Sequence, residues 1–163
     1  MDDFNSLHKN VQAAISGLEA GCKIHDHNKF SSQIKSPQDF ATALGYQIGR
    51  ITKTLFLRTR DGRTYGVAVC SIDLRLDFKL AAEALGVKRI EAASPEDLKA
   101  KTGYPRNGVS PLGLAEDIAV VVDRPLLDYP TVLVGGGATA IEIEVAPADL
   151  IDISRATVQS ITS

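Results

Sequence analysis

At 163 residues, with 44% hydrophobic and 23% charged side chains, the chain has the composition of an ordinary globular protein and can bury a real core, which excludes disordered and fibrous classes and predicts one domain spanning residues 1–163. A formal net charge of −2 excludes a global field that would draw in a polyanion, so any nucleic-acid contact has to come from a local patch. The two cysteines, Cys22 and Cys70, lack zinc or redox-motif spacing, no cationic start precedes an apolar run, and no segment approaches about 18 uninterrupted apolar residues, which points to a cytoplasmic protein with reduced, packed thiols and no membrane partner.

In chain order, Leu7, Val11, Ala14, Ile15 and Leu18 recur at helical spacing ahead of Gly21, predicting an amphipathic N-terminal helix over about residues 4–20 as an extension of the domain. His25 and His27 flank Asp26 in strand-like alternation that puts both rings on one face. No third ligand of matching spacing follows, so they read as a polar strand face rather than a metal site. Ser36-Pro37-Gln38-Asp39 supplies an N-cap, a proline at the first helical position and a capping-box-like acid, and Gly45 ends that helix. The same grammar returns at Ser94-Pro95-Glu96-Asp97 through Gly103 and, in weaker form, at Ala146-Pro147-Ala148-Asp149.

Strands over Thr54–Arg58 and Thr64–Ser71 flank Asp61-Gly62, a dipeptide favoured in tight hairpin turns. Asp77–Leu85 reads as a helix stopped by Gly86, and Lys88–Ala92 as a short strand. Ile118–Asp123, Thr131–Val134 and Ala140–Val145 complete the predicted strands, with Gly135-Gly136-Gly137 as the turn between the last two. Hairpins outnumber βαβ crossovers. The expected class is therefore α+β, with a mixed, mainly antiparallel, partly closed and barrel-like sheet surrounded by helices.

Two segments stand out chemically: Lys53, which leads the strand Lys53-Thr54-Leu55-Phe56-Leu57, and the loop from Tyr104 to Gly113, which holds two prolines and two glycines in ten residues. Such a loop presents a fixed, non-helical backbone able to aim amide N–H groups at a ligand. The chain supplies no Ser/His/Asp or Cys/His set. These residues predict a site of backbone donors plus one ammonium group, without a side-chain nucleophile. Lys88, Arg89, Lys99, Lys101 and Arg106 cluster around the helix that delivers the loop. They read either as a solvated helix face or as phosphate contacts.

The helix from Ser36 to Gly45, the Lys53-Thr54-Leu55 strand, the Asp61-Gly62 hairpin, the stretch from Ala82 to Gly86, the loop Gly108-Val109-Ser110-Pro111-Leu112-Gly113 and the run from Ile141 to Leu150 together resemble the YbaK/ProX family of aminoacyl-tRNA editing domains. That family is related to the insertion domain of bacterial prolyl-tRNA synthetases. The resemblance runs from about Cys22 to Ser154. It implies hydrolysis of the ester joining a wrong amino acid to the tRNA 3′ end, with the family's lysine at Lys53 and its substrate loop at Asn107–Pro111. It further implies that Gly136 borders the pocket and that Asp149 lies near its rim, although Asp149 also suits the first turn of the last helix. The family often has glycine where this chain has Asn107, a residue that tolerates positive φ.

An aminoacyl ester is already activated, so a protein need only hold it beside a water and stabilise the oxyanion. The amides near Gly108 and Val109 are the candidate clamp, with Asn107, Ser110, Pro111 and Gly113 as further substrate contacts. Lys53 is the candidate holder of the terminal phosphate. The expected partners are the aminoacyl-adenosine end of a mischarged tRNA, proline-specific with cysteine or alanine attached, and an aminoacyl-tRNA synthetase. No cofactor or metal is implied. Two other readings fit the same residues: a non-enzymatic module binding a nucleotide or RNA 3′ end, and a small-molecule ester hydrolase.

Overall fold

Ser36 caps its helix as the sequence requires: its hydroxyl accepts from the Asp39 N–H at 3.1 Å, and Gly45 closes the other end at φ 73°. In the computed structural model, which describes residues 2–18 and 22–163, this helix is the third of six. The helices are α1 (Asp2–Ser6), α2 (Lys9–Ile15), α3 (Pro37–Leu44), α4 (Phe78–Leu85), α5 (Pro95–Thr102) and α6 (Pro147–Ser154). Ser94 and Asp77 cap α5 and α4 in the same way, whereas Ala146 gives α6 no side-chain cap. None of the six exceeds eight residues, so tertiary packing rather than intrinsic propensity holds them.

The predicted N-terminal helix is two helices. Between α1 and α2, Leu7 turns into the core at 4% exposure. His8 takes an extended conformation, and its ring nitrogen accepts from the Asn10 N–H at 3.1 Å, which restarts the helix there. An N-cap therefore interrupts an otherwise continuous apolar stripe. Gly21, the predicted stop, lies outside the described residues.

Eight strands form two sheets: β1 (Cys22–Asp26), β2 (Thr52–Arg58), β3 (Tyr65–Ser71), β4 (Glu91–Ala92), β5 (Ala119–Asp123), β6 (Val132–Gly135), β7 (Ile141–Val145) and β8 (Thr157–Gln159). The small sheet runs β1-β7-β6, all antiparallel, and the large one β4-β2-β3-β5-β8, antiparallel except at β3–β5 and β5–β8. Neither sheet closes on itself. They meet edge to edge where Ile51 bridges to Leu133, and the Thr52 hydroxyl donates to the Leu133 carbonyl at 2.6 Å. The Asp61-Gly62 turn is longer than a two-residue hairpin: the Thr59 N–H donates to the Thr64 carbonyl at 2.9 Å, leaving residues 60–63 as the loop. The predicted strand at 88–92 contracts to Glu91–Ala92.

The central strands β3 and β5 of the large sheet are buried on both faces, which explains their nearly unbroken apolar runs. Val67, Val69, Val120 and Val122 face the main core with Val134 and Ile143 of the small sheet. Ala68 and Val121 face α4 and Ile161. Cys70 is fully buried, and burial pushes its thiol up to about 11 despite the opposing effect of Lys53 opposite it across the β2–β3 ladder. No helix of the described residues is long and apolar enough to cross a membrane.

Candidate functional site

A cavity of about 490 Å³ opens where the two sheets meet. The start of β2 lines it through Thr52, Lys53 and Thr54, and the Arg106–Val109 turn lines it as well. Gly135, Ala140 and Glu142 from β6, β7 and their connection line it too, with His27 and the Lys35–Pro37 approach to α3. Lys53 forms no ion pair among the described residues, so its ammonium is uncommitted.

Specific contacts set the loop rigidly. The buried Tyr104 hydroxyl donates to the Leu112 carbonyl across its neck, Ser110 Oγ accepts from the Leu112 N–H at 3.1 Å, and the Gly108 N–H donates to the Pro105 carbonyl at 3.0 Å. The loop then seats on the glycine-rich connection between β6 and β7. A Cβ on Gly108 would stand 2.4 Å from the Ala138 carbonyl oxygen, and one on Gly135 would stand 2.0 Å from the Val109 carbonyl oxygen. Backbone therefore touches backbone at both glycines, and close approach rather than unusual φ is what requires them.

Two local costs sit in the cavity wall. Ala140 adopts the left-handed region at φ 66°, which costs a non-glycine residue roughly 1–2 kcal/mol. Thr54 Oγ1 is the buried side-chain polar atom without a hydrogen-bond partner among the described residues. Departures from local rules gather at functional sites because the surrounding structure enforces them there.

Two histidine–carboxylate pairs tie β1 and the residue after it to β7: His27 Nε2 to Glu142 Oε2 at 2.6 Å, in the cavity lining, and His25 Nε2 to Glu144 Oε1 at 2.9 Å. Both rings pack on Phe40 of α3. Among the described residues no three His, Cys, Asp or Glu side chains gather as a metal site would need. Glu144 is nearly buried. Burial alone would raise its pKa, but hydrogen bonds from Thr131, Tyr46 and His25 outweigh that and hold the carboxyl below the usual range.

Residues 31–153 match the family model of the aminoacyl-tRNA editing domain. The chain belongs to that family. EbsC of Enterococcus faecalis, whose name proposes a Cys-tRNA(Pro)/Cys-tRNA(Cys) deacylase, is 33% identical over 129 residues, which are 78% of this chain and 77% of that protein. The prolyl-tRNA editing protein ProX of Acetoanaerobium sticklandii is 28% identical over 110 residues, covering 65% of this chain and 67% of that one. A crystal structure described as that of a candidate trans-editing enzyme for prolyl tRNA synthetase matches with a TM-score of 0.81 at 25% identity, over 97% of this chain and 99% of the other.

Within this editing domain, Lys53, Asn107, Gly108 and Val109 line one cavity, although the sequence separates Lys53 from the loop by more than fifty positions. Asn107 needs no positive φ, since among the described non-glycine residues only Ala140 and Arg155 have one. The Gly108 N–H is already spent on Pro105, which removes it as a ligand donor. The Val109 N–H has no acceptor among the described residues.

The other predicted contacts lie elsewhere. Ser110 is fully buried with its oxygen turned back into the loop, and Pro111 and Gly113 line a separate groove shared with the end of α6. Gly136 faces the N-terminal helices, its carbonyl accepting from the His8 N–H at 3.1 Å. Asp149 is in the first turn of α6, near enough to Cys22 to help burial raise that thiol. Of the basic cluster only Arg106 reaches the cavity, while the Lys101 ammonium stands 5.0 Å above the Tyr65 ring. The sequence reading missed Lys35 and Glu142. For Glu142 the signal was present: Ile141-Glu142-Ile143-Glu144-Val145 alternates, placing both acids on one strand face.

Proposed function

We propose that this editing domain is a trans-editing deacylase that hydrolyses the ester of mischarged tRNA, with tRNA for proline carrying cysteine or alanine as substrate. One observation carries the reading: an uncommitted lysine and a stiff loop from distant parts of the chain line the same cavity, whose roughly 490 Å³ suits a small acyl-ribose group. The names of EbsC and ProX favour a prolyl tRNA as carrier.

In this mechanism the Val109 N–H stabilises the oxyanion as water attacks the ester carbonyl, and Gly108 sets the backbone path that presents it. Lys53, flanked at the cavity by Lys35 and Arg106, holds the terminal phosphate. Asn107 borders the acyl group. Neither thiol serves as nucleophile, because burial raises the pKa of both, Cys70 to about 11. One methylene discriminates between side chains by only about 1–3 kcal/mol, so a synthetase that accepts small wrong residues needs a second, hydrolytic sieve. Acting in trans on such errors places the domain in the cytoplasm, beside a synthetase.

The test is a panel: tRNA for proline charged with cysteine, alanine or proline, and tRNA for cysteine charged with cysteine, each incubated with the purified protein. Release of cysteine or alanine faster than proline is expected. Release from none, under conditions where a related editing enzyme works, overturns the proposal, and saturable binding without turnover would then point to a 3′-end binding module. Equal activity on free aminoacyl esters would point to a small-molecule ester hydrolase.

The loop seat gives a second expectation. In Gly135→Ala the new methyl group meets the Val109 carbonyl and displaces the turn, so deacylation should fall about a hundredfold, as for reacting groups misplaced by about 1 Å. Rates on the best substrate of the panel, read beside thermal melting, check this. An unchanged rate would show that the Val109 amide takes no part.

A further inference from the structure

We infer that Glu142 is the specificity residue that recognises the α-ammonium group of the esterified amino acid, an inference that rests on the deacylase reading. Among the described residues lining the cavity, Glu142 is the one carboxylate, against three cationic side chains: Lys53, Lys35 and Arg106. The lining thus carries both signs of charge. Such a lining suits a ligand that carries both an anionic phosphate and a cationic group, which is the charge pattern of an aminoacylated nucleotide.

The backbone register brings Glu142 to the loop. Glu142 pairs directly with Gly135 across the β6–β7 ladder, and side chains of directly paired residues share a sheet face. Gly135 is the residue whose Cβ position points at the Val109 carbonyl oxygen, 2.0 Å away. The Glu142 carboxylate therefore projects on the side of β7 where the Val109 turn is seated. In the proposed pose an ester carbonyl held by the Val109 N–H directs its α-ammonium, attached one carbon away, toward that carboxylate.

The carboxylate is also prepared for the task. Oε2 is engaged by His27 Nε2 at 2.6 Å, which fixes the side chain, while Oε1 has no partner among the described residues. The pair is largely withdrawn from water, with side-chain exposures of 22% and 17%, so a charge-assisted bond formed there is weakly screened.

The test compares the best substrate of the panel with its α-hydroxy analogue, lactyl for alanyl or mercaptolactyl for cysteinyl, each rate divided by the spontaneous hydrolysis of the same ester. Wild type is expected to favour the amino compound in kcat/KM by about tenfold to a hundredfold, the range for a hydrogen bond to a charged group. Glu142→Gln, whose amide can still meet His27, is expected to bring the two substrates within about threefold of each other, the change arising on the amino compound. Equal turnover of both substrates by wild type overturns the assignment while leaving deacylation standing. So does a Glu142→Gln protein that slows both equally. Turnover of neither by wild type removes the deacylase reading and this one with it. The wild-type comparison decides even if the variant does not fold.

Discussion

Lys53→Ala should lower deacylation of the best mischarged tRNA by about a hundredfold to a thousandfold in kcat/KM while leaving the fold intact. The size follows from a lost charge-assisted contact to phosphate in a half-enclosed site, about 3–4 kcal/mol. The intact fold follows from the surroundings. Lys53 has no ion-pair partner among the described residues, so removing it orphans no buried carboxylate, and the change in stability should stay within about 1 kcal/mol. Lys53→Arg should recover only part of the rate, since a planar guanidinium does not reproduce a compact ammonium. Single-turnover deacylation beside thermal melting separates the two effects. Full activity in Lys53→Ala would end the role of this lysine, and a collapsed melting curve would make it structural.

The elements legible in the sequence were those whose signals are local. Ser36, Asp77 and Ser94 cap within three residues of themselves, and Gly45 and Gly86 end their helices at φ 73° and 74°, so neighbouring residues alone decide the boundaries. Of β1 only the strand-like alternation at His25–His27 was legible, without bounds, and β8 was absent from the predicted strands, because their reasons to be strands are distant. His25 and His27 acquire partners on β7, more than a hundred residues later, and Thr157–Gln159 is held by parallel pairing to β5.

The site followed the same division. That Lys53 and the loop are unusual could be read locally, but which side of the loop faces the cavity could not. Tyr104 ties the loop to Leu112, Gly113 is pressed against Asn10 of α2, and Gly135 meets Val109. These contacts turn Ser110, Pro111 and Gly113 away and leave Val109 against the end of β6. Gly136 is taken up by His8 for the same reason: its neighbour in space starts the second helix, a break the apolar periodicity concealed.

Glu144→Ala should be the most destabilising single change near the site, at about 3–5 kcal/mol, or roughly a 10 °C fall in melting temperature. Glu144 is only 5% exposed and receives His25 at 2.9 Å, the Tyr46 hydroxyl at 2.8 Å and the Thr131 hydroxyl at 2.7 Å, with Arg50 at 3.6 Å. Arg50 is committed to the same knot, bonding the Thr131 carbonyl at 2.9 Å and lying 3.6 Å above the Tyr46 ring. Without the carboxylate, a guanidinium at 15% side-chain exposure loses its counter-ion and two hydroxyls lose their acceptor, penalties larger than the net value of the pair itself.

Acid should expose the same linkage. Because the folded pKa lies below that of an unfolded glutamate, about 4.3, the carboxylate's contribution is fully present above that pH and is lost as pH falls through the lower folded value. The stability gap between wild type and Glu144→Gln should therefore be widest above about pH 4.3 and narrow on further acidification, measurable by denaturant unfolding across a pH series. A gap that persists unchanged to pH 2, or one below about 1 kcal/mol at neutral pH, would mean the knot is incidental. A full gap carries a consequence for the reaction, because Glu142 and Glu144 share one face of β7. Loosening the second acid should then also blunt the preference for an α-amino group assigned to the first.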